Sequence, residues 1–170
     1  MDCRHIQFRD STRLQNACIE PNANRGSELH IDQLQALFQV AAFWARDRKR
    51  EDLALAIANS NPVISAWDHD QLIGFARATS DGIYRATIWD VVVHPDYQGA
   101  GLGRKLVQTV LSHPHVCRVE RVYLMTTNQQ EFYKRIGFEE NATTTMVYFN
   151  QPIALPNSGL VVELECDIGC

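Results

Sequence analysis

The sequence lacks paired cysteines and long apolar runs, and each absence excludes a class of protein. Its five cysteines are an odd number and include no Cys-x-x-Cys pair, which excludes a disulfide framework and the usual zinc motifs. We therefore expect no metal site. Every apolar run is far shorter than the roughly 20 residues that a membrane-spanning helix needs, so we expect no membrane partner.

A surplus of basic charge is also missing. The 16 Lys and Arg stand against 20 Asp and Glu, and the formal net charge is -4, which argues against nucleic acid as the main partner. The first residues, Met1 to Gln7, lack the basic and then apolar pattern of a secretory signal. The resulting predictions are a cytoplasmic location and one globular domain over residues 1–170.

Apolar periodicity predicts the elements of the first half of the chain. A strand near 4–8 precedes a polar loop over 9–27, and a helix begins at Ser27 with an apolar stripe that reaches Ala45. A second helix over 48–58 ends before Pro62. Three strands are then predicted, over 63–67, 72–79 and 85–93.

The second half begins with a glycine-rich loop. A helix from Leu102 to His113 follows the loop, and a strand over 121–125 completes a β-loop-α-β unit. A short helix over 131–136, closed by Gly137, precedes a strand over 144–149. The tail over 151–170 is expected to be loosely attached, with 160–164 as a further edge strand.

The glycine-rich loop is the strongest functional signal. It joins a hydrophobic strand to a helix, and it reads Gln98-Gly99-Ala100-Gly101-Leu102-Gly103-Arg104. Glycines let the backbone approach a ligand closely, and the first amides of a helix have no internal acceptor, so the loop suits a phosphate or pyrophosphate. Arg104 and Lys105 would add positive charge.

Two nucleotide-binding motifs do not fit this loop. The dinucleotide pattern G-x-G-x-x-G fails because Arg104 or Leu106 occupies its third glycine position. The P-loop fails because Gly103-Arg104-Lys105-Leu106 supplies no Gly-Lys-Ser/Thr. A glycine-rich turn that serves only chain reversal stays open as the alternative.

The loop and a second element resemble a known family. Residues Val91 to Gly103 are similar to motif A of the GNAT superfamily, and Glu131 to Phe138 resembles its Tyr-x-x-x-Gly-Phe element. The resemblance implies an α/β fold, with a mixed, mostly antiparallel central sheet flanked by helices and strands splayed at the coenzyme site. It implies an acetyl-CoA-dependent N-acetyltransferase that uses no metal.

A closer resemblance covers residues 40 to 149. Phe43-Trp44-Ala45, Leu72 to Asp81 and Ala86 to Val91 are similar to the plastid and cyanobacterial branch that includes plant serotonin N-acetyltransferases, enzymes of melatonin biosynthesis. This implies an arylalkylamine acceptor such as serotonin or tryptamine. Because the branch is also linked to lysine and N-terminal acetylation, a protein amine is the alternative acceptor. Analogy with relatives also implies a homodimer.

Asp90 is the predicted general base. A free alkylamine is almost fully protonated at neutral pH, so a residue must take its proton, and Asp90 follows Trp89 in an otherwise apolar strand. The family often carries an acidic base here. The alternatives are a solvent-facing Asp90 or an ion pair with an arginine such as Arg77 or Arg85.

The resemblance assigns two tyrosines. Tyr133 matches the family's acid, whose phenol donates to the departing CoA thiolate. Tyr97, at the mouth of the loop, matches a tyrosine proposed to assist the acceptor, with packing over the loop as the alternative.

Further residues are expected to bind the substrates. The backbone of Val91, Val92 and Val93 is expected to bind pantetheine as an added strand, and the loop from Gln98 to Arg104 is expected to bind the pyrophosphate. Thr126 and Asn128 are also expected to contact the coenzyme, although many relatives carry an Asn where this chain has Thr126. Trp44 and Trp89 are predicted to line the acceptor site, with core packing as the alternative, and core packing is the interpretation preferred for Phe43. A catalytically idle CoA-binding module is the remaining hypothesis.

Overall fold

The computed structural model describes residues 5–12 and 30–148, and its contacts divide the chain into two units, Met1–Glu139 and Glu140–Cys170. Every described strand and helix belongs to the first unit. Within the described ranges, no helix is long and apolar enough to cross a membrane.

The described part of the second unit, residues 140–148, forms neither helix nor strand. The predicted strand over 144–149 is therefore wrong for 144–148, and Phe149 lies outside the described residues. The segment has the composition of a strand, but Met146, Val147 and Tyr148 are largely exposed. Composition alone does not form a strand, since a strand is stabilised by contacts with its neighbour. The predicted tail over 151–170, its edge strand at 160–164 and most of the loop over 9–27 also lie outside the described residues.

The first unit is built on a five-stranded sheet in the order β1-β2-β3-β4-β5. The strands are β1 Gln7–Asp10, β2 Val63–Asp68, β3 Gln71–Ser80, β4 Arg85–Val93 and β5 Arg121–Tyr123. The first four are antiparallel, and β5 runs parallel to β4 because a helical crossover connects the two. The predicted mixed, mostly antiparallel sheet is confirmed.

Four α-helices of the described residues flank the sheet: α1 Ile31–Ala41, α2 Arg50–Ala58, α3 Leu102–Ser112 and α4 Gln130–Lys134. Helix α1 ends earlier than predicted, because the backbone leaves the helical region at Ala42 and a separate 3-10 turn follows over Phe43–Ala45. Ala42 and Ala45 are buried in the core although they lie outside α1. The apolar stripe in the sequence therefore continues past the end of the helix.

The sheet is covered on both faces. One buried cluster joins strands to α1 and α2 and includes Leu34, Leu37, Phe38, Leu53, Phe75 and Val92. The other joins strands to α3 and includes Ile64, Ile73, Leu106, Val107 and Val110. A β-carbon added at Gly74 would lie 3.1 Å from Leu106 Cδ1, so this glycine lets α3 pack directly on β3. The glycine-rich loop is thereby fixed beside the end of β4.

Strand β4 contains a bulge that shapes the site. Arg77 pairs with Trp89 while Phe75 pairs with Val92, so β4 carries one extra residue, and Asp90 adopts a left-handed φ of 52°. Trp89 and Asp90 both contact Arg77. The bulge therefore directs two successive side chains toward the same arginine.

Candidate active site

The two strands at the edge of the sheet separate along their length. Pairing between β4 and β5 covers only Arg85 to Thr87 and ends at Tyr123. Within the described residues, the stretch 88–93 has no strand partner on that side. The backbone amides and carbonyls that this stretch presents on that side, apart from the Val93 carbonyl, are therefore available to an extended ligand, as at the edge of a sheet.

The glycine-rich loop begins where this strand ends. Gln98 Nε2 donates to the carbonyl of Val93 over 3.0 Å, which ties the loop to the strand. Gly99 and Gly101 have left-handed φ values of 79° and 81°, and a β-carbon added to either would meet no atom within 4 Å. Helix α3 starts directly after Gly101, which caps it without a side chain. The first amides of α3 thus border an open surface, the arrangement that binds an anion.

Two residues of the loop serve packing. Leu102 is buried in the core, so only its backbone can contact a ligand. A β-carbon added at Gly103 would lie 3.4 Å from Phe132 and 3.7 Å from Val93 Cγ2. Gly103 therefore allows α3, β4 and α4 to approach closely, whereas Gln98, Ala100 and Arg104 are exposed.

Asp90 lies between two guanidinium groups. Arg48 Nη1 and Arg77 Nε both donate to Asp90 Oδ2 over 2.8 Å, and only 6% of the Asp90 side chain is exposed. Arg77 also donates to Ser60 Oγ over 3.0 Å, which fixes its direction. The ion pair with Arg77 that sequence left open is present, while Arg85 pairs with Glu120 instead.

Arg48 is one of the site residues that sequence reasoning missed. It lies just before α2, far from Asp90 in sequence, in a stretch of mixed charge that gives no signal of its own. Its guanidinium also lies 5.8 Å from the ring centre of Phe38. Within the described residues no group donates to the second oxygen of Asp90, Oδ1, so that oxygen is the one that can accept a further proton or hydrogen bond.

Tyr97 is held by Asp68, the last residue of β2. Its hydroxyl donates to Asp68 Oδ2 over 2.5 Å, across 29 residues of sequence. This bond lowers the pKa of Asp68, and His69 and His5 act in the same direction. The same bond raises the pKa of Tyr97, because ionisation of the phenol would place two negative charges together. Tyr97 therefore links the loop to the turn between β2 and β3.

Tyr133 lies on α4, and its ring packs between two phenylalanines. Its ring contacts Phe132 and Phe138 edge-on, at centroid distances of 4.9 and 5.8 Å. Burial raises the pKa of Tyr133, and no described residue hydrogen-bonds its hydroxyl. The phenol is thus protonated at neutral pH and available as a donor. Gly137, with a φ of 114°, follows α4 as predicted.

The stretch before α4 supplies one capping contact. Thr126 Oγ1 accepts a hydrogen bond from the amide of Gln129 over 3.2 Å. This bond fixes the backbone just before α4. Asn128 is exposed and makes no side-chain hydrogen bond within the described residues. Thr126 therefore uses its side chain in this bond, whereas Asn128 has the more accessible side chain.

The three predicted aromatic residues differ in exposure. Phe43 and Trp44 stack edge-on at 5.1 Å and are 73% and 51% exposed, so core packing is wrong for Phe43. Trp89 is half-buried, and its Nε1 donates to Thr79 Oγ1 over 2.9 Å. Phe43 and Trp44 offer an open aromatic surface, whereas Trp89 is fixed within the sheet.

Comparison with known proteins agrees with this geometry. Residues 59–140 match the model of the acetyltransferase (GNAT) domain. The chain is 33% identical over 141 residues to an uncharacterized N-acetyltransferase ycf52 of Pyropia yezoensis, covering 80% of this chain and 74% of the relative. It is 37% identical over 126 residues to the histone acetyltransferase TAP1 of Glycine max, covering 67% of this chain and 54% of the relative.

A solved structure from Xanthomonas campestris, described as belonging to the GNAT family, superposes with a TM-score of 0.68 at 24% identity, over 85% of this chain and 94% of that one. This likeness shows the fold.

A glycine-loop acyltransferase fold with a splayed sheet defines the class of the protein. The chain belongs to the GNAT family of N-acetyltransferases. It spans about half the length of several curated relatives, 54% in three of those compared.

Proposed function

We propose that this chain transfers the acetyl group of acetyl-CoA to a primary amine. Proteins with the GNAT fold use acetyl-CoA. The observation that carries the proposal is the unpaired edge of β4 over 88–93, which leads directly into the open glycine loop at the start of α3. An extended pantetheine arm ending in a pyrophosphate matches that edge and that loop in order and in chemistry.

The coenzyme contacts follow from this match. The backbone of Val91, Val92 and Val93 would bind pantetheine and polarise the thioester carbonyl. The amides of the loop from Gln98 to Gly103 would bind the pyrophosphate, with Arg104 supplying charge from the exposed side of α3. Thr126 and Asn128 would contact the coenzyme where the edge strands separate.

The proton transfers are assigned to three side chains. Asp90 would accept the amine proton through Oδ1 while Arg48 and Arg77 hold Oδ2 in place. Asp90 would then release the proton to solvent. Tyr133 would donate to the leaving thiolate, for which its protonated phenol is suited. Tyr97 would assist the acceptor from the mouth of the loop.

The exposure of Phe43 and Trp44 favours a protein amine, on a lysine or a chain N-terminus, as the acceptor. Phe43 and Trp44 form an open surface rather than a closed pocket, and a long peptide can lie across such a surface. TAP1, a relative, carries the name histone acetyltransferase. The second candidate acceptor is an arylalkylamine such as tryptamine or serotonin, because an indole ring can stack on the paired aromatic side chains. Activity in melatonin biosynthesis, a cytoplasmic location and a homodimer stay predictions.

Thiol release from acetyl-CoA tests the proposal. The purified chain would be given a lysine peptide, a peptide with a free N-terminus, tryptamine, serotonin or no acceptor. Turnover above the blank with a peptide supports the first acceptor, and turnover with the indoleamines alone supports the second. CoA binding without turnover on any amine would contradict the transferase proposal and favour the idle module.

A further inference from the structure

A group of imidazole and carboxylate side chains lies outside the proposed catalytic machinery. His5 Nε2 is 3.1 Å from Asp68 Oδ1, and His69 Nδ1 is 2.7 Å from the same oxygen. The two imidazole rings lie 5.4 Å apart. Two nitrogen ligands and one oxygen ligand thus converge where the chain enters β1 and where β2 turns into β3.

We propose that His5, Asp68 and His69 form a binding site for a divalent transition-metal ion, with Zn²⁺ as the ion whose preferred ligands they supply. Zinc binds imidazole nitrogen and carboxylate oxygen at about 2.0–2.2 Å, which places neighbouring ligand atoms of a tetrahedron about 3.3–3.5 Å apart. The three ligand atoms here all lie within 4.8 Å of one another. Rotation of the exposed imidazoles is enough to close the site.

The surroundings support a metal-binding carboxylate. Ligating carboxylates are usually hydrogen-bonded by a second residue, which fixes their direction. Asp68 has such a partner, because Tyr97 donates to Oδ2 and leaves Oδ1 directed to the two imidazoles. His69 is held at a left-handed φ of 52°, which fixes its backbone beside the carboxylate. Water would complete the coordination of the ion.

His5 is remote in sequence from Asp68 and His69, which explains why no cysteine or histidine spacing predicts the site. His5 precedes β1, and strand pairing of Gln7 with Trp67 brings it beside the turn after β2. The inference does not depend on the proposed acetyl transfer. It does connect with the loop, since Tyr97, whose hydroxyl holds Asp68 Oδ2, lies at the mouth of the loop.

Calorimetric titration of the full chain with ZnCl₂, after alkylation of its thiols, tests the inference. We expect one site whose affinity falls at least tenfold in His5→Gln and in His69→Asn, a replacement that tolerates left-handed backbone. Tyr97→Phe should weaken binding by about tenfold through loss of the second-residue hydrogen bond. His30→Gln, an exposed histidine at the start of α1, is the matched control and should bind as the parent does.

Cobalt provides an independent measurement. Co²⁺ bound by two imidazoles and a carboxylate in the parent chain should give visible absorption that both histidine variants lose, while circular dichroism shows that they remain folded. Equal zinc affinity in the parent, His5→Gln and His69→Asn would overturn the site. Zinc binding that is lost in His30→Gln but kept in the other two variants would also overturn the site.

Discussion

Arg77 and Asp90 face each other across the bulge of β4, joined by a 2.8 Å bond from Nε to Oδ2. The pair places a carboxylate with 6% exposure beside the strand edge that borders the proposed coenzyme site. Because Arg48 donates to the same oxygen, the carboxylate is anchored on one side and has a single oxygen left for chemistry. This arrangement makes the role of Asp90 testable by substitutions that keep its shape.

Asp90→Asn should lower kcat at neutral pH by about 100-fold while CoA affinity changes less than threefold. The amide keeps the size of the carboxylate but cannot take the amine proton, a loss in the usual range for a general base. Steady-state kinetics and CoA titration measure the two quantities. Arg48→Met is the companion variant: if Asp90 only supports the bulge, both variants should lose kcat and CoA affinity together.

Gly101→Ala should weaken CoA binding at least tenfold. The backbone at Gly101 has a φ of 81°, where a β-carbon costs about 1–2 kcal/mol, and the methyl group would project into the open space proposed for the pyrophosphate. Gly82→Ala is the control, since Gly82 has a similar φ of 77° in the turn between β3 and β4. It should show a comparable loss of stability in urea with unchanged CoA affinity. Equal CoA affinity in the two variants would refute the loop as the binding site.

Tyr133→Phe should reduce kcat by about 100-fold, the lower end of the range for loss of a general acid, with little change in stability. Burial raises the pKa of Tyr133, so the phenol stays protonated through neutral and mildly alkaline pH. The parent's activity should therefore fall only above the usual range of tyrosine, and the variant should lose that alkaline limb. Tyr84→Phe, on the exposed turn before β4, serves as the control. A pH profile that is the same shape in Tyr133→Phe and the parent would contradict the assignment.

Tyr97→Phe should raise the pKa of Asp68 toward its ordinary value, as measured by carboxyl NMR titration. The bond from Tyr97 is the largest cause of the lowered pKa. Because that pKa is lower in the folded than in the unfolded chain, the bond stabilises the fold above about pH 3.9, and this contribution disappears as pH falls through the folded pKa. The variant should therefore lose stability at neutral pH but less at low pH. An unchanged titration of Asp68 would show that His5 and His69 set its pKa.

Most of the fold could be predicted from local patterns. Sequence patterns defined β3 and β4 closely because their apolar runs are bounded by turns. They defined Leu102 to Ser112 because its apolar stripe ends before a proline. The failures have physical causes. The stripe of α1 continued through Ala42 and Ala45, which are buried but outside the helix, and the segment 144–148 has strand composition without a described partner strand.

The contacts of the candidate site were less predictable. A motif predicted the glycine loop because glycine at a left-handed φ is required at Gly99 and Gly101. Arg48 and Asp68 were missed, since their partners Asp90 and Tyr97 are remote in sequence and only the packing of α2 and the β2–β3 turn brings them together. Local patterns also gave no sign that Phe43 would be exposed.

The early end of β5 has a thermodynamic consequence. A sheet whose last strand pairs over only Arg85 to Thr87 leaves its neighbour incomplete, and a coenzyme lying on that edge would take the place of the absent hydrogen-bonded partner. Ligand occupancy and the melting temperature would then be linked by mass action, with about 2.7 kcal/mol gained when free ligand exceeds its Kd a hundredfold. The heat resistance of this enzyme would accordingly follow the acetyl-CoA concentration around it.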